Sequence, residues 1–293
     1  MNRLTVLFLL VTATALWGGN FVIGRSFVNT LPPFALALFR WIVAFFTLLP
    51  FGLKELKNNR KIWKEHRIAL LFMALTGIAM FNTLVYIAVH YTTSINASLI
   101  NSSTPIMIMI LSVIFLREKL SWKQGIGIIL SLIGVLFIIS RGEWSQILSL
   151  TFNKGEMWML LAVTTWAIYS ILVKKFGGIF PQYGSFLYTI IVGIIMLIPF
   201  ASYEYIKGAT YIWNLHSVLG VLYVGIFASI VAFLCWNKAV IHIGPGKAAP
   251  FLNLIPVFAT VFAILFLNEQ LMLTQVIGGA LVIVGVFISS FLK

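Results

Sequence analysis

From residue 4 onward the chain reads as long apolar runs broken by short polar interruptions. The runs fall at about 4–25, 33–53, 68–89, 94–116, 122–140, 155–175, 182–202, 217–240, 247–267 and 272–292, each close to the length that crosses a bilayer core as a helix. None shows the brief in-and-out alternation of a barrel strand, and a helix satisfies its own backbone hydrogen bonds inside lipid. The pattern predicts an all-α polytopic membrane protein of ten transmembrane helices. The longest connectors, "KELKNNRKIWKEHR", "RGEWSQILSLTFNK" and "YEYIKGATYIWNLH", are too short to hold a soluble domain with its own core, so any activity resides in the membrane part. The first run follows Arg3 as a secretory signal would, and small residues follow, but its length and the absence of a convincing small-x-small cleavage site predict that it is retained.

Composition agrees: 61% hydrophobic and 9% charged residues, with a mean hydropathy of +1.04, lie outside the mixture of a soluble domain. The formal charge of +13 matters through its placement. With an inside N-terminus, the cytoplasmic side receives Arg3, Lys54, Lys57, Arg60, Lys61, Lys64, Arg67, Arg117, Lys119, Lys123, Lys174, Lys175, Lys238, Lys247 and Lys293. The other side receives Arg25, Arg141, Lys154 and Lys207, and Arg40 falls within a span. This asymmetry predicts a multi-pass protein of the cell membrane with both termini cytoplasmic, and it explains the charge without nucleic acid. The basic loop between the second and third spans suits anionic headgroups. Cys235 is alone, so neither an intrachain disulfide nor a thiolate metal cluster can form; it reads as a small buried hydrophobe.

The two halves of the chain repeat. "AVHYTTSINASLINSSTPIMIMILSVIFLREKLSWKQGIGIILSLIGV" aligns without gaps to "AVIHIGPGKAAPFLNLIPVFATVFAILFLNEQLMLTQVIGGALVIVGV" at an offset of 151, pairing Pro105 with Pro256, Glu118 with Glu269, Gln124 with Gln275, Gly127 with Gly278 and Gly134 with Gly285. Near the start of each half the offset is 149, and Trp17 pairs with Trp166 and Arg25 with Lys174. The reading is a first five-helix repeat in residues 1–140, an extracytoplasmic linker in 141–154 and a second repeat in 155–293. Five crossings are an odd number, so the second repeat is inverted. Inverted repeats with a site near the midplane are a transporter signature.

Four stretches, "ALWGGNFVIGRSF", "PPFALALFRWIVA", "SLINSSTPIMIMILSVIFLREKLSWKQGIGIILSLIGV" and "NLIPVFATVFAILFLNEQLMLTQVIGGALVIVGV", give the chain its resemblance to the EamA-type transporters of the drug/metabolite transporter superfamily. The resemblance covers essentially all of the chain. It implies ten helices, cytoplasmic termini, a central cavity between the halves and, for many members, export of amino acids or other small metabolites. It also includes an arginine at the place of Arg40.

Helical spacing nominates cavity residues. Trp17, Asn20 and Gly24 share a stripe with Gly18 and Gly19 beside it; the glycines read as packing positions, and Trp17 and Asn20 as cavity positions. Trp166 and Tyr169 occupy their places in the second half, and two indoles would make an apolar, polarizable wall. Asn82 and Tyr86 share a face, with Asn237 at the place of Tyr86. In the fourth span Ser94, Ser98, Asn101 and Pro105 form a stripe beside Ser102 and Thr104, for which solute contact and interhelical hydrogen bonding are both open. The matching stripe of Pro245, Ala249, Leu252 and Pro256 is nearly apolar, with only Asn253 polar beside it. Pro105 and Pro256 predict kinks that would serve as hinges or as fixed bends. Arg40 lies seven residues past Pro33, roughly 10 Å below the outer surface at about 1.5 Å per residue, where a cation must snorkel or find a partner. Structural anchor and substrate contact both remain open for it. Glu118 and Glu269 at helix ends read as caps in preference to gate locks.

Asp is absent and no Glu falls near the centre of a span, which argues against ion coupling through an intramembrane carboxylate; His90 and His242 near span ends keep proton coupling open. No phosphate loop, HExxH or metal-spaced carboxylate cluster occurs. The expectation is a non-enzymatic secondary transporter without cofactor or metal, exporting amino acids or similar amphipathic metabolites by alternating access. Its cavity candidates are Trp17, Asn20, Asn82, Tyr86, Asn101, Trp166, Tyr169 and Asn237. Its partners are a small organic solute and membrane lipid, with no nucleic acid, and the reading is compatible with a monomer. An ungated pore, a proton-coupled antiporter and a lipid-directed membrane enzyme are the alternatives.

Overall fold

The structure, a computed structural model, describes residues 3–116, 122–140, 142, 153–176, 178–243 and 248–291. Arg117, Glu118, Lys119, Arg141, Pro245, Lys247 and Lys293 lie outside the described residues, as does most of the expected linker 141–154. The described residues form helices and no strands: α1 (Arg3–Ser26), α2 (Pro33–Asn58), α3 (Arg60–Glu65), α4 (Arg67–Tyr91), α5 (Ser94–Asn101), α6 (Thr104–Leu116), α7 (Trp122–Ile139), α8 (Lys154–Phe176), α9 (Gln182–Ile206), α10 (Leu215–Ile243), α11 (Leu254–Leu267) and α12 (Leu273–Phe291). Seven segments are long and apolar enough to cross a membrane, namely α1, α2, α4, the stretch Ser94–Phe115, α8, α9 and α10. The apolar helices Phe251–Leu267 and Leu273–Gly285 are shorter. The chain is a multi-pass membrane protein.

Two expectations are sharpened. The span 94–116, where Pro105 predicts a kink, is two helices interrupted at Ser102 and Ser103 just ahead of that proline, and Pro256 likewise follows a tight 3₁₀ turn, Ala249–Asn253. A proline cannot donate to the preceding turn and crowds it, so the irregularity falls on the residues ahead of it. The second span does not end near 53: α2 continues to Asn58, and the basic connector adds α3, pinned by buried Trp63, whose indole N–H donates to the Leu56 carbonyl at 2.8 Å.

Elements about 150 residues apart share the same irregularities. α4 widens to a π-helix over Ala74–Met80, and α10 does so over Val224–Val231. α2 and α9 both enter on a proline, Pro32 and Pro181, and both carry one internally, Pro50 and Pro199. Packing follows the same exchange. α1 packs on α10 and α11 while α8 packs on α4 and α6; α2 meets the π segment of α10 while α9 meets that of α4; α2 pairs with α9 and α7 with α12.

Close approach in these pairs depends on small residues, because lipid tails are as apolar as leucine and only tight packing separates helix contact from lipid contact. A Cβ at Gly134 of α7 would lie 2.7 Å from the carbonyl oxygen of Gly278 of α12, and one at Gly278 would lie 2.9 Å from that of Gly134. The glycines of α1 are filled in the same way: Gly18 by Phe258, Gly19 by the Tyr223 ring and Gly24 by Tyr86. We expect Gly134→Leu or Gly278→Val to destabilise the detergent-solubilised protein by about 1–3 kcal/mol through overpacking against backbone that has no rotamer to yield. The check is thermal unfolding followed by size-exclusion chromatography, with Gly125→Ala, where a Cβ meets nothing within 4 Å, remaining at the parental midpoint.

Candidate functional site

Near the middle of the bundle α1, α4, α5, α8 and the start of α11 enclose a narrow cavity lined by Trp17, Asn20, Phe21, Phe81, Asn82, Val85, Asn101, Trp166, Leu252 and Ile255. Aromatic rings form its wall. Trp17 meets Trp166 edge-on with centroids 5.2 Å apart, and Trp166 meets Phe81 at 4.7 Å. From α10, Phe233 meets Trp17 at 5.7 Å and Trp166 at 5.4 Å, and Trp236 meets Trp17 at 5.6 Å. Such mostly edge-on contacts let the ring quadrupoles attract one another as well as fill volume.

The π segments connect this wall to the backbone. A π turn leaves carbonyls poorly matched within the helix, and two indoles take them up: Trp17 Nε1 donates to the Ala228 carbonyl of α10 at 3.0 Å, and Trp41 Nε1 to the Ile78 carbonyl of α4 at 2.9 Å. Ser229, in the α10 segment, donates to the Val224 carbonyl at 2.7 Å and presents its oxygen toward α2.

That oxygen receives Arg40. The guanidinium is fully buried and does not snorkel. Its Nε donates to Ser229 Oγ at 2.8 Å, and its Nη1 to Asn82 Oδ1 at 2.6 Å, Tyr86 Oη at 2.7 Å and Asn20 Oδ1 at 3.0 Å. Tyr86 in turn donates to Asn20 Oδ1 at 2.7 Å. The charge also lies over the rings of Trp41 and Tyr86, at 5.1 and 5.8 Å. Every hydrogen-bond acceptor in this set is neutral.

Of the residues nominated by spacing, Trp17, Asn20, Asn82, Asn101 and Trp166 line the central cavity together, and Tyr86 lies behind it on Arg40. Tyr169 and Asn237 belong to a separate pocket with Met73, Phe186 and Thr189, where Asn237 Nδ2 donates to Tyr169 Oη at 3.5 Å. The rings of Trp166 and Tyr169, 5.2 Å apart, form a thin aromatic layer between the two spaces. The single cavity expected from the helical stripes is thus two. Most hydroxyls of the fourth-span stripe turn to their own helix: Ser98 donates to the Ile95 carbonyl and Thr104 to that of Asn101, while Ser94 reaches the Phe21 carbonyl at 3.4 Å. Phe233, Trp236, Trp41 and Ser229 were not nominated. Ser229, Phe233 and Trp236 do share a face at spacings of four and three, a signal visible in the sequence.

At the ends of the bundle, carboxylates cap helices of the opposite half. Glu204 of α9 accepts from the N–H groups of Phe34 and Ala35 at 3.2 and 3.0 Å, and Glu269 accepts from Ser94 and Ile95 at 2.9 and 3.1 Å. At the other end Glu55 of α2 accepts from Gly184 at 2.7 Å. Each satisfies orphan donors at a helix N-terminus, where negative charge is favoured. Arg25 fastens the end of α1 to α4 through the Val89 carbonyl at 2.6 Å.

Residues 4–140 and 153–291 each match the sequence profile described as the EamA-like transporter family. The chain belongs to this family. Its EamA-like relatives include the uncharacterized transporters YetK and YyaM of Bacillus subtilis, 29% identical over 97% of this chain and 86% of that protein, and 26% identical over 99% and 95%. A protein of Salmonella typhimurium named a probable amino-acid metabolite efflux pump is 26% identical over 97% of this chain and 94% of its own length. A solved crystal structure shares the fold with a TM-score of 0.68 at 17% identity, covering 99% of this EamA-like chain and 98% of its own.

In this EamA-family transporter Ser229→Ala leaves the Arg40 Nε donor without its acceptor in a fully buried site. The expected cost is about 1–3 kcal/mol, read as a lowered thermal midpoint. Ser229→Thr, which keeps the hydroxyl, is expected to recover most of it.

Proposed function

We propose that this transporter carries a small amphipathic organic solute, with amino acids and related metabolites as the leading class, by alternating access across the cytoplasmic membrane. The observation that carries the reading is the central cavity, which takes Trp17, Asn20, Asn82 and Asn101 from the first half of the chain and Trp166, Leu252 and Ile255 from the second. A site shared between halves changes its exposure when the halves rock, and indoles beside amides suit a solute with an apolar body and a polar head. The name of the Salmonella relative supports metabolite efflux.

In this reading ten crossings form two inverted repeats, 1–140 and 155–293, with both termini cytoplasmic. The recurrence of π segments and prolines at matching places supports it, as does packing that survives exchange of the halves. The carboxylate caps become end clasps: Glu204 and Glu269 hold the outer end, and Glu55 holds the inner one. Pro105 and Pro256, each following an irregular turn, serve as hinges. A narrow cavity under clasped ends favours a gated carrier over an open pore. The five described glutamates cap helix N-termini or sit beside Lys61 and Asn96, so exchange without proton coupling is the simplest mechanism.

Reconstituted protein is expected to show saturable counterflow of amino-acid solutes that persists when the proton gradient is dissipated. Flux rising linearly with concentration would indicate a pore, and abolition by protonophore would indicate coupling. Asn101→Ala is expected to lower the exchange rate by roughly 3- to 10-fold at unchanged folded yield, the worth of one hydrogen bond. Loss of folded protein at unchanged specific activity would assign Asn101 to packing.

A further inference from the structure

Three buried donors at the centre of the protein have no acceptor: Arg40 Nη2, Asn82 Nδ2 and Trp166 Nε1. Two of them, Asn82 and Trp166, line the central cavity. Native proteins rarely leave such groups unmatched. Two buried acceptors, Asn237 Oδ1 in the second pocket and Asn253 Oδ1, are also unmatched, but neither residue lines the central cavity, where the unmatched groups are donors. The charge behind them has the same sign. Arg40 is fully buried, and Ser229, Asn20, Asn82 and Tyr86 solvate it without neutralising it. Asp does not occur in the chain. Among the described residues Glu55, Glu204 and Glu269 cap distant helix ends, Glu65 faces Lys61, and Glu156 contacts Asn96 and Asn153.

A guanidinium removed from water and surrounded by neutral dipoles attracts an anion strongly, because among the described residues no carboxylate contacts it to offset its charge. The path for that attraction passes through Asn82. Its carbonyl oxygen is held by Arg40 Nη1, which polarises the amide and strengthens the Nδ2 donor of this cavity-lining residue.

We infer that the central cavity binds the carboxylate group of its solute, with Asn82 Nδ2 and Trp166 Nε1 as direct donors and the Arg40 charge one hydrogen-bonded link behind. This deepens the transport reading and rests on it. As it stands the cavity offers about 10 Å³, room for about one water, so the solute is admitted only when the halves part. Its apolar part then lies against Trp17, Phe21, Val85 and Ile255, and the class is a small carboxylic acid with a hydrocarbon or aromatic body, zwitterions included. The same charge rejects cations that lack a carboxylate. Asn82 and Trp166 are thereby specificity-determining residues, and Arg40 a positioning residue that acts through Asn82.

The test compares matched acids and primary amides on the purified full-length protein: leucine with leucinamide, phenylalanine with phenylalaninamide, and 3-phenylpropanoate with 3-phenylpropanamide. Thermal stabilisation and indole fluorescence report binding. The acids are expected to raise the midpoint and the amides to leave it unchanged. Asn82→Asp places a carboxylate of nearly the same size beside Arg40 inside the protein; its unliganded midpoint is expected to hold or rise while the response to acids is lost. Trp166→Phe removes one donor and keeps an aromatic wall, and is expected to weaken acid binding about tenfold. Chloride at matched ionic strength distinguishes a resident inorganic anion from the solute's own carboxylate. Equal response to acids and amides, a wild-type acid response in both variants, no response to any acid, or a full response to chloride with none added by acids would each overturn the inference. Saturable flux of neutral solutes without acid binding would remove this inference and keep the transport reading; acid binding without flux of any solute would do the reverse.

Discussion

A positive charge that water cannot reach sets the terms for the centre of this protein. Arg40 must find its hydrogen bonds among residues of other helices, and it does so through Asn20 of α1, Asn82 and Tyr86 of α4 and Ser229 of α10. Separating any of these helices from α2 strands a buried guanidinium, a penalty far larger than that of parting apolar surfaces within lipid. The arginine therefore specifies which helices meet and at what height, in a medium where the hydrophobic effect between helices is weak.

The π segments make that meeting possible. By widening α10 around Ser229 they set its hydroxyl toward α2, and the carbonyls released nearby hold the indoles of Trp17 and Trp41. Helical geometry recurs in the two halves while the chemistry does not. At the places of Asn20, Arg40 and Asn82, the second half carries Tyr169, Thr189 and Phe233. The side-chain amides of the central cavity thus all come from the first half, and the second half contributes only Trp166, Leu252 and Ile255 to its lining. The divided site follows: Trp166, Tyr169 and Phe233 form a layer with a donor-lined space on one side and the Asn237 pocket on the other.

The apolar runs showed the spans that became α1, α8 and α10, because hydropathy measures how a segment partitions into lipid and needs no knowledge of its neighbours. Registers of Pro, Glu and Gly exposed the repeat for a similar reason. Pro105 announced the irregularity at Ser102 and Ser103; less legible were the length of α2 and the roles of Ser229, Phe233 and Trp236. Trp236 resembles any other core tryptophan until its distance from Trp17, 219 positions away in the chain, is known.

The sequence by itself determined a multi-pass helical membrane protein, its family and the polar residues it must accommodate. Only the tertiary structure decided that Asn20, Asn82 and Tyr86 converge on Arg40, that Asn101 and Trp166 share one space while Tyr169 and Asn237 share another, and that Glu204 and Glu269 cap helices of the other half. The physical reason is one of range. Partitioning into lipid is a property of each segment alone, whereas the hydrogen-bond partner of a buried group depends on which segments come within about 3 Å of one another.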